Sequence, residues 1–138
     1  MRVLKIVDEK STYETTKFLD DLEERMGFSI HTIQVDNGLE FVNDDDHTNR
    51  ESRFELAVKK KGWVLRRTRP YSPWQNGRVE RSHREDGKIL YNRHIYKKKD
   101  LINQVKKHER RYNTTAKYVL NFKSPEEMVQ EYFEGSVA

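Results

Sequence analysis

Two carboxylates in this chain stand at positions from which a side chain could be aimed at a metal ion. Asp36 follows the apolar run Thr32–Val35 and precedes an Asn-Gly turn. Glu80 follows a proline-containing loop, residues 69–76, and opens a basic helical segment. Carboxylate oxygens are the ligands that Mg²⁺ prefers, and a strand end or first helical turn holds them rigidly. These residue types in these contexts predict a single metal site made by Asp36 and Glu80.

Each carboxylate alone also has a purely structural interpretation. Asp36 could be a turn residue before Asn-Gly, and Glu80 could be an acid that complements the dipole at a helix start. Their joint occurrence, in this order and with a strand and a proline-rich loop between them, favours the metal site.

The motifs around these residues resemble a known family. Asp-Asn-Gly at 36–38 and Tyr-Ser-Pro-Trp-Gln-Asn-Gly-Arg-Val-Glu at 71–80 are similar to the catalytic core of retroviral-type integrases and insertion-sequence transposases, the DDE superfamily. The tail, with Tyr-Asn at 112–113 and a Ser-Pro-Glu at 124–126, resembles the bacterial transposase branch. The resemblance covers almost the whole chain. It implies an α/β, ribonuclease H-like fold and Mg²⁺ or Mn²⁺ as the cofactor.

The resemblance also implies a third carboxylate that this chain does not offer. Asp8 is the only upstream candidate at a strand end, and it lies too close to Asp36 along the chain. We therefore expect an N-terminally incomplete core that lacks the first catalytic Asp and the first two strands, from a shortened reading frame or an engineered fragment. Such a site should bind its metal weakly. Asp36 and Glu80 are 44 positions apart, longer than the usual gap, and residues 43–50 would hold the surplus.

Contacts to DNA are predicted in the loop and on the helix that follows it. By resemblance the loop touches the DNA end, with Gly77 as a hinge, whereas a turn packed by Tyr71 and Trp74 is the structural alternative; Trp74 could also stack on a base. Basic residues on the helix could bind phosphates or could form a solvated face. The predicted DNA-binding residues are Tyr71, Ser72, Gln75, Asn76, Gly77, Arg81, Arg84 and Lys88.

Charge is distributed unevenly along the chain. Residues 1–58 hold 7 Lys/Arg against 14 Asp/Glu, residues 59–99 hold 14 against 3, and residues 100–138 hold 6 against 6. Clustered positive charge around Glu80 indicates a phosphate-backbone partner. The chain has no cysteine, which excludes a disulfide scaffold and thiolate metal sites.

Apolar periodicity and capping residues predict the elements. We expect strands at 3–7, 30–35 and from 63, a helix after Ser11 ending at Gly27, and a short helix ending at Gly62. A long helix should begin near Gly77, another at Asp100 as its cap, and a last one after Ser124. Alternating strands and helices predict parallel pairing. We expect residues 1–138 to form one partial catalytic core, with 100–138 as its helical extension.

The leading functional interpretation is a core that cuts and joins DNA ends by metal-dependent phosphodiester transfer. The alternative is a non-catalytic DNA-binding or assembly fragment that modulates a full-length transposase, and a nuclease of the same fold is the third. We expect DNA as a partner, self-association or association with full-length transposase, no membrane, and a cytoplasmic location. No apolar run is long enough to span a membrane.

Overall fold

The chain divides into two compact units. The computed structural model describes residues 1–38, 40–41, 50–69, 72–88 and 97–136. The strand unit comprises Val7–Asn92, and the helical unit comprises Met1–Ile6 together with Arg93–Ala138.

A parallel pair of strands forms the sheet of the strand unit. β1 (Thr32–Val35) pairs with β2 (Val64–Arg67) in a register that sets Thr32 opposite Val64 and Val35 opposite Arg67. The connection between them contains a helix, which is the usual crossover for parallel strands. The predicted parallel pairing is confirmed.

Two consecutive helices precede β1. α1 (Thr12–Asp20) begins after Ser11, whose Oγ accepts a hydrogen bond from the Glu14 N–H at 3.3 Å. α2 (Leu22–Met26) ends at Gly27, which adopts a left-handed φ of 77°. The predicted single helix is therefore interrupted at Asp21, next to Asp20, and adjacent aspartates have poor helix propensity.

The crossover helix α3 (Arg53–Lys60) supplies two buried apolar side chains to the core. Ser52 and Glu55 form a capping box, in which the side chain of each residue accepts a hydrogen bond from the backbone N–H of the other. Phe54 and Val58 are buried against α1. Among the described residues of the strand unit, the buried apolar side chains are Leu19, Leu22, Val35, Phe54, Val58 and Trp63.

The predicted strand at residues 3–7 is wrong. The segment has no regular secondary structure. Its backbone N–H groups bond instead to side chains of the helix that begins at Lys98: the Arg2 N–H donates to Asn113 Oδ1 at 2.7 Å, and the Leu4 N–H donates to Glu109 Oε2 at 2.6 Å. Side-chain acceptors thus take the place of a neighbouring strand.

A short 3₁₀ turn and a helix follow β2. The 3₁₀ turn is Pro73–Asn76, and α4 is Gly77–Asp86. Residues 87–88 continue as a π-type turn, so Gly87 coincides with a change of helical geometry, as its low helix propensity suggests. Residues 89–96, which follow, and residues 43–49, which were expected to hold the surplus between Asp36 and Glu80, lie outside the described residues.

Two helices form the helical unit. α5 (Lys98–Thr114) buries Val105 and His108. Lys97 occupies the cap position that was predicted for Asp100, and Asp100 lies in the first turn. A 3₁₀ turn (Tyr118–Leu120) leads to α6 (Pro125–Ser136). Ser124 and Glu127 form the predicted capping box. No helix in the described parts of either unit has the length and apolar character needed to cross a membrane.

Candidate functional site

Asp36 lies directly after β1 with its carboxylate exposed to solvent. Oδ1 accepts a hydrogen bond from the Gly38 N–H at 2.9 Å, which makes an Asx turn and fixes the orientation of the carboxylate. Close by, Lys10 Nζ pairs with Glu40 Oε1 at 2.9 Å. The pKa of Lys10 is raised above its usual value, first by the Glu40 hydrogen bond and charge and also by the field of Asp36.

The carboxyl ends of the two strands are joined by hydrogen bonds. The Thr68 N–H donates to the Val35 carbonyl at 3.0 Å, and Asn37 Nδ2 donates to the Thr68 carbonyl at 3.1 Å. Asp36 therefore stands at the sheet edge from which the chain after β2 departs. Parallel strands bring their carboxyl ends to the same edge, which is where such sheets usually place ligand sites.

The loop after β2 folds back onto β1 through Gln75. The Arg69 N–H donates to Gln75 Oε1 at 2.8 Å, and Gln34 Nε2 donates to the Gln75 carbonyl at 3.3 Å. Ser72 is half-buried, and its carbonyl accepts from the Gln75 N–H at 3.1 Å. Trp74 is 73% exposed, so it does not pack the turn as the structural alternative required.

α4 presents Glu80 in its first turn, exposed to solvent. The helix starts at Gly77, which has helical dihedral angles of −54° and −31° and open space where a Cβ would lie. Neither conformation nor packing requires glycine at 77 here, so the hinge stays a prediction.

Two of the predicted basic residues lie near one another on α4. Arg81 and Arg84 are exposed and three positions apart, and Lys88, also exposed, lies in the π-type turn that follows. Lys88 Nζ lies 3.3 Å from Glu85 Oε1, an ion pair within one turn. The helix can therefore offer a row of cations beside Glu80. Asn76 ends the 3₁₀ turn, and Tyr71 lies outside the described residues.

The donor types suit a hard divalent cation, but their number is small. Asp36 and Glu80 supply only oxygen donors, which Mg²⁺ and Mn²⁺ accept. Among the residues that the structure describes, no three His, Cys, Asp or Glu side chains are grouped closely enough to hold a metal ion. The described residues thus supply oxygen donors of the right type, but no grouped set of three.

Several residues of this region were missed by the sequence predictions. Gln34 and Asn37 tie the strand end to the loop, and Arg78 is exposed next to it. Alternation along β1 could have identified Gln34, because it lies two positions before Asp36 and so on the same face. Its partner Gln75 is 41 positions away, and no local pattern reports such a contact.

The comparison with protein families adds independent evidence. Residues 61–116 match the family described as integrase core domain. This segment is similar to an integrase core domain. It includes β2, the loop, α4 with Glu80, and α5, whereas Asp36 lies before it.

A solved structure has the same fold as this chain. The crystal structure of the catalytic core domain of BIV integrase aligns with a TM-score of 0.68 and 20% identity, over 97% of this chain and 80% of that chain. The predicted α/β, ribonuclease H-like fold class is confirmed. No curated protein matches the sequence.

Proposed function

We propose that this chain is an integrase-type core that binds DNA and cuts and joins DNA strands by metal-dependent phosphodiester transfer, with Asp36 and Glu80 as metal ligands. One observation supports the pairing of the carboxylates most directly: Gln34 donates to the Gln75 carbonyl at 3.3 Å. This bond links β1, the strand that directly precedes Asp36, to the 3₁₀ turn that directly precedes α4 and Glu80.

The closeness of Gln34 and Asp36 along the chain strengthens this argument. Asp36 directly follows β1 and lies two positions after Gln34, whose side chain reaches the turn at Gln75. Glu80 follows Gln75 by five positions, within the first turn of α4.

The residues have distinct roles in this proposal. A divalent ion held by carboxylates would stabilise negative charge on the attacking and leaving oxygens of the phosphodiester. Arg81, Arg84 and Lys88 would bind phosphates along α4. The loop residues Tyr71, Ser72, Gln75, Asn76 and Gly77 would contact the DNA end.

A joining assay on short labelled duplexes with Mn²⁺ tests the proposal. We expect slow strand transfer, because two carboxylates hold the ion weakly, and we expect both Asp36→Asn and Glu80→Gln to abolish it. Glu85→Gln is the matched control, since it removes an exposed carboxylate from the same helix. Cleavage without joining would indicate a nuclease of the same fold instead. Activity that survives Asp36→Asn would contradict the proposed ligand pair.

A second function is favoured by the small number of ligands. Because no group of three metal-binding side chains occurs in the described parts of the chain, a non-catalytic DNA-binding or assembly fragment is the alternative. It predicts salt-sensitive DNA binding that is unchanged in the Asp36→Asn, Glu80→Gln double variant and no strand transfer in any variant. Either function implies DNA as partner, contact with further copies or a full-length transposase, and a cytoplasmic location.

A further inference from the structure

A lysine ammonium group lies in the region of the Asp36 carboxylate. Lys10 directly precedes Ser11, the N-cap of α1, and its Nζ lies 2.9 Å from Glu40 Oε1. The Glu40 side chain is 12% exposed, whereas that of Lys10 is 78% exposed. The ammonium group therefore reaches from the start of α1 to the turn that follows β1.

The start of α1 and this turn are also joined by a second contact. Thr15 Oγ1 lies 3.1 Å from the Glu40 carbonyl oxygen, within hydrogen-bond distance. Within the turn, the Phe41 N–H donates to the Gly38 carbonyl at 2.9 Å. Glu40 is thus held at its backbone by α1 and at its side chain by Lys10, so the ion pair belongs to an ordered contact between two elements.

The carboxylates of Asp36 and Glu40 both lie close to Gly38. A Cβ at Gly38 would lie 3.0 Å from Asp36 Oδ1 and 2.6 Å from Glu40 Oε2, so the two carboxylates and the ammonium group share one small region. The pKa of Lys10 is raised chiefly by the hydrogen bond and charge of Glu40, and the charge of Asp36 adds to this rise. Asp36 therefore already interacts with a cation of its own chain.

The same region is open to solvent. A cleft of about 380 Å³ is lined by Lys10, Ser11, Thr12, Gly38 and Glu40. Mg²⁺ usually keeps several water molecules when carboxylates bind it, so an ion at Asp36 needs solvent-filled space beside the carboxylate. A hydrated divalent ion and the Lys10 ammonium group would then compete for the same negative charge.

We propose that Lys10 is an internal counter-ion that lowers the affinity of the Asp36 carboxylate for a divalent metal ion. Its ammonium group neutralises part of the negative charge that attracts the ion and repels the ion directly. Lys10 is not a ligand in this proposal; it tunes the metal affinity of a residue that is. The inference rests on the metal role proposed for Asp36, but it needs neither Glu80 nor DNA.

Calorimetric titration of the whole chain with Mn²⁺ at low salt tests the inference. Lys10→Met removes the charge and keeps most of the side-chain length, and it should bind Mn²⁺ about 3- to 10-fold more tightly than the wild type. Lys10→Arg keeps the charge and should match the wild type within about twofold. Lys60→Met, which removes an exposed lysine from the last turn of α3, is the matched control.

Two further measurements show whether the effect is electrostatic and acts through Asp36. In about 1 M salt the Debye length is about 3 Å, so the gain in Lys10→Met should shrink to less than about twofold. Adding Asp36→Asn to Lys10→Met should remove the gain. Circular dichroism should show the same fold in all variants, because an ion pair with an exposed lysine contributes little to stability.

The outcomes separate this inference from the proposed function. Mn²⁺ affinity of Lys10→Met that does not exceed the wild type, or a gain that Lys60→Met or Lys10→Arg shares, would overturn the counter-ion role. A gain that persists with Asp36→Asn would overturn it as well. Wild-type affinity in Glu80→Gln would contradict only the Asp36–Glu80 pair. No Mn²⁺ binding by either the wild type or Lys10→Met would overturn both proposals.

Discussion

The carboxylate of Asp36 owes its orientation to the residue two positions later. A Cβ at Gly38 would lie 3.0 Å from Asp36 Oδ1 and 2.6 Å from Glu40 Oε2, so a side chain there would press on two carboxylates at once. The Glu40 side chain is held by Lys10 and is only 12% exposed, which limits its freedom to move aside. Glycine at 38 therefore keeps the Asx turn and the Lys10–Glu40 pair compatible.

Gly38→Ala should weaken metal binding without removing a ligand. We expect Mn²⁺ affinity to fall about tenfold, the size of effect seen when residues that orient a ligand are changed. Gly77→Ala is the matched control, because nothing lies within 4 Å of a Cβ there and its dihedral angles are helical. Calorimetric titration measures both. Unchanged affinity in Gly38→Ala would show that the turn does not position the Asp36 carboxylate.

At the scale of elements, α3 depends on its capping box. Ser52 Oγ accepts from the Glu55 N–H at 3.1 Å, and the Ser52 N–H donates to Glu55 Oε2 at 2.6 Å. Ser52→Ala should lower the free energy of unfolding by about 1–2 kcal/mol. Ser82→Ala, in the body of α4, should change it by less than about 0.5 kcal/mol. Urea unfolding measures both, and equal losses would contradict the capping role.

The same helix start predicts a pH dependence. Burial alone would raise the pKa of Glu55, but the hydrogen bonds with Ser52 and the pairing with Arg67 outweigh it, and the net pKa lies below the ordinary value of 4.5. The stabilisation is present above pH 4.5 and is lost as pH falls through the lowered pKa. When the pH is lowered from neutral to acidic, the unfolding midpoint should fall less in Glu55→Gln than in the wild type. An identical fall would rule out this contribution.

The basic side of α4 predicts how DNA binding responds to salt. Each phosphate contact contributes about 0.9 to the slope of log affinity against log salt concentration. Arg81→Ala and Arg84→Ala should each weaken binding and lower that slope by about one. Lys17→Ala removes a cation from α1, in the acidic part of the chain, and should leave the slope unchanged. Equal effects of all three would mean that net charge, rather than α4, binds DNA.

The elements were predictable wherever a local signal decided them. Ser52 with Glu55, and Ser124 with Glu127, mark helix starts, and apolar runs mark β1 and β2. The strand at 3–7 failed because a strand needs a neighbour, and these backbone groups found side chains of α5 instead. The sequence placed Asp36 and Glu80 on their elements correctly. The Gln34–Gln75 bond that brings those elements together is a contact between distant residues, which periodicity does not encode.

At the scale of the whole molecule, the sheet has few strands for its type. Within the described ranges β1 pairs only with β2, and parallel sheets are normally covered on both faces and built from more strands. The carbonyls of His31 and Val35 accept hydrogen bonds from the N–H groups of Val64 and Thr68, on the β2 side. Backbone groups alternate in direction along a strand, so Thr32 directs its N–H toward the other edge. Such an edge favours pairing with another chain.

Thr32→Pro tests this expectation of self-association. Proline removes an N–H that β2 does not use and blocks strand addition at that edge. We expect concentration-dependent self-association of the wild type by light scattering, reduced in Thr32→Pro and retained in Thr32→Val. Circular dichroism would confirm that both variants fold. A monomeric wild type, or equal association of Thr32→Pro, would contradict pairing at this edge.

The central claim is that Asp36 and Glu80 hold one ion, and a calorimetric Mn²⁺ titration of five proteins tests it most directly. The proteins are the wild type, Asp36→Asn, Glu80→Gln and the double variant, with Glu85→Gln as the control. A shared site predicts that each single variant loses about tenfold or more in affinity and that the double variant loses little beyond either. Losses that add independently, a Glu80→Gln variant that behaves like Glu85→Gln, or a wild type that binds no Mn²⁺ would contradict the account.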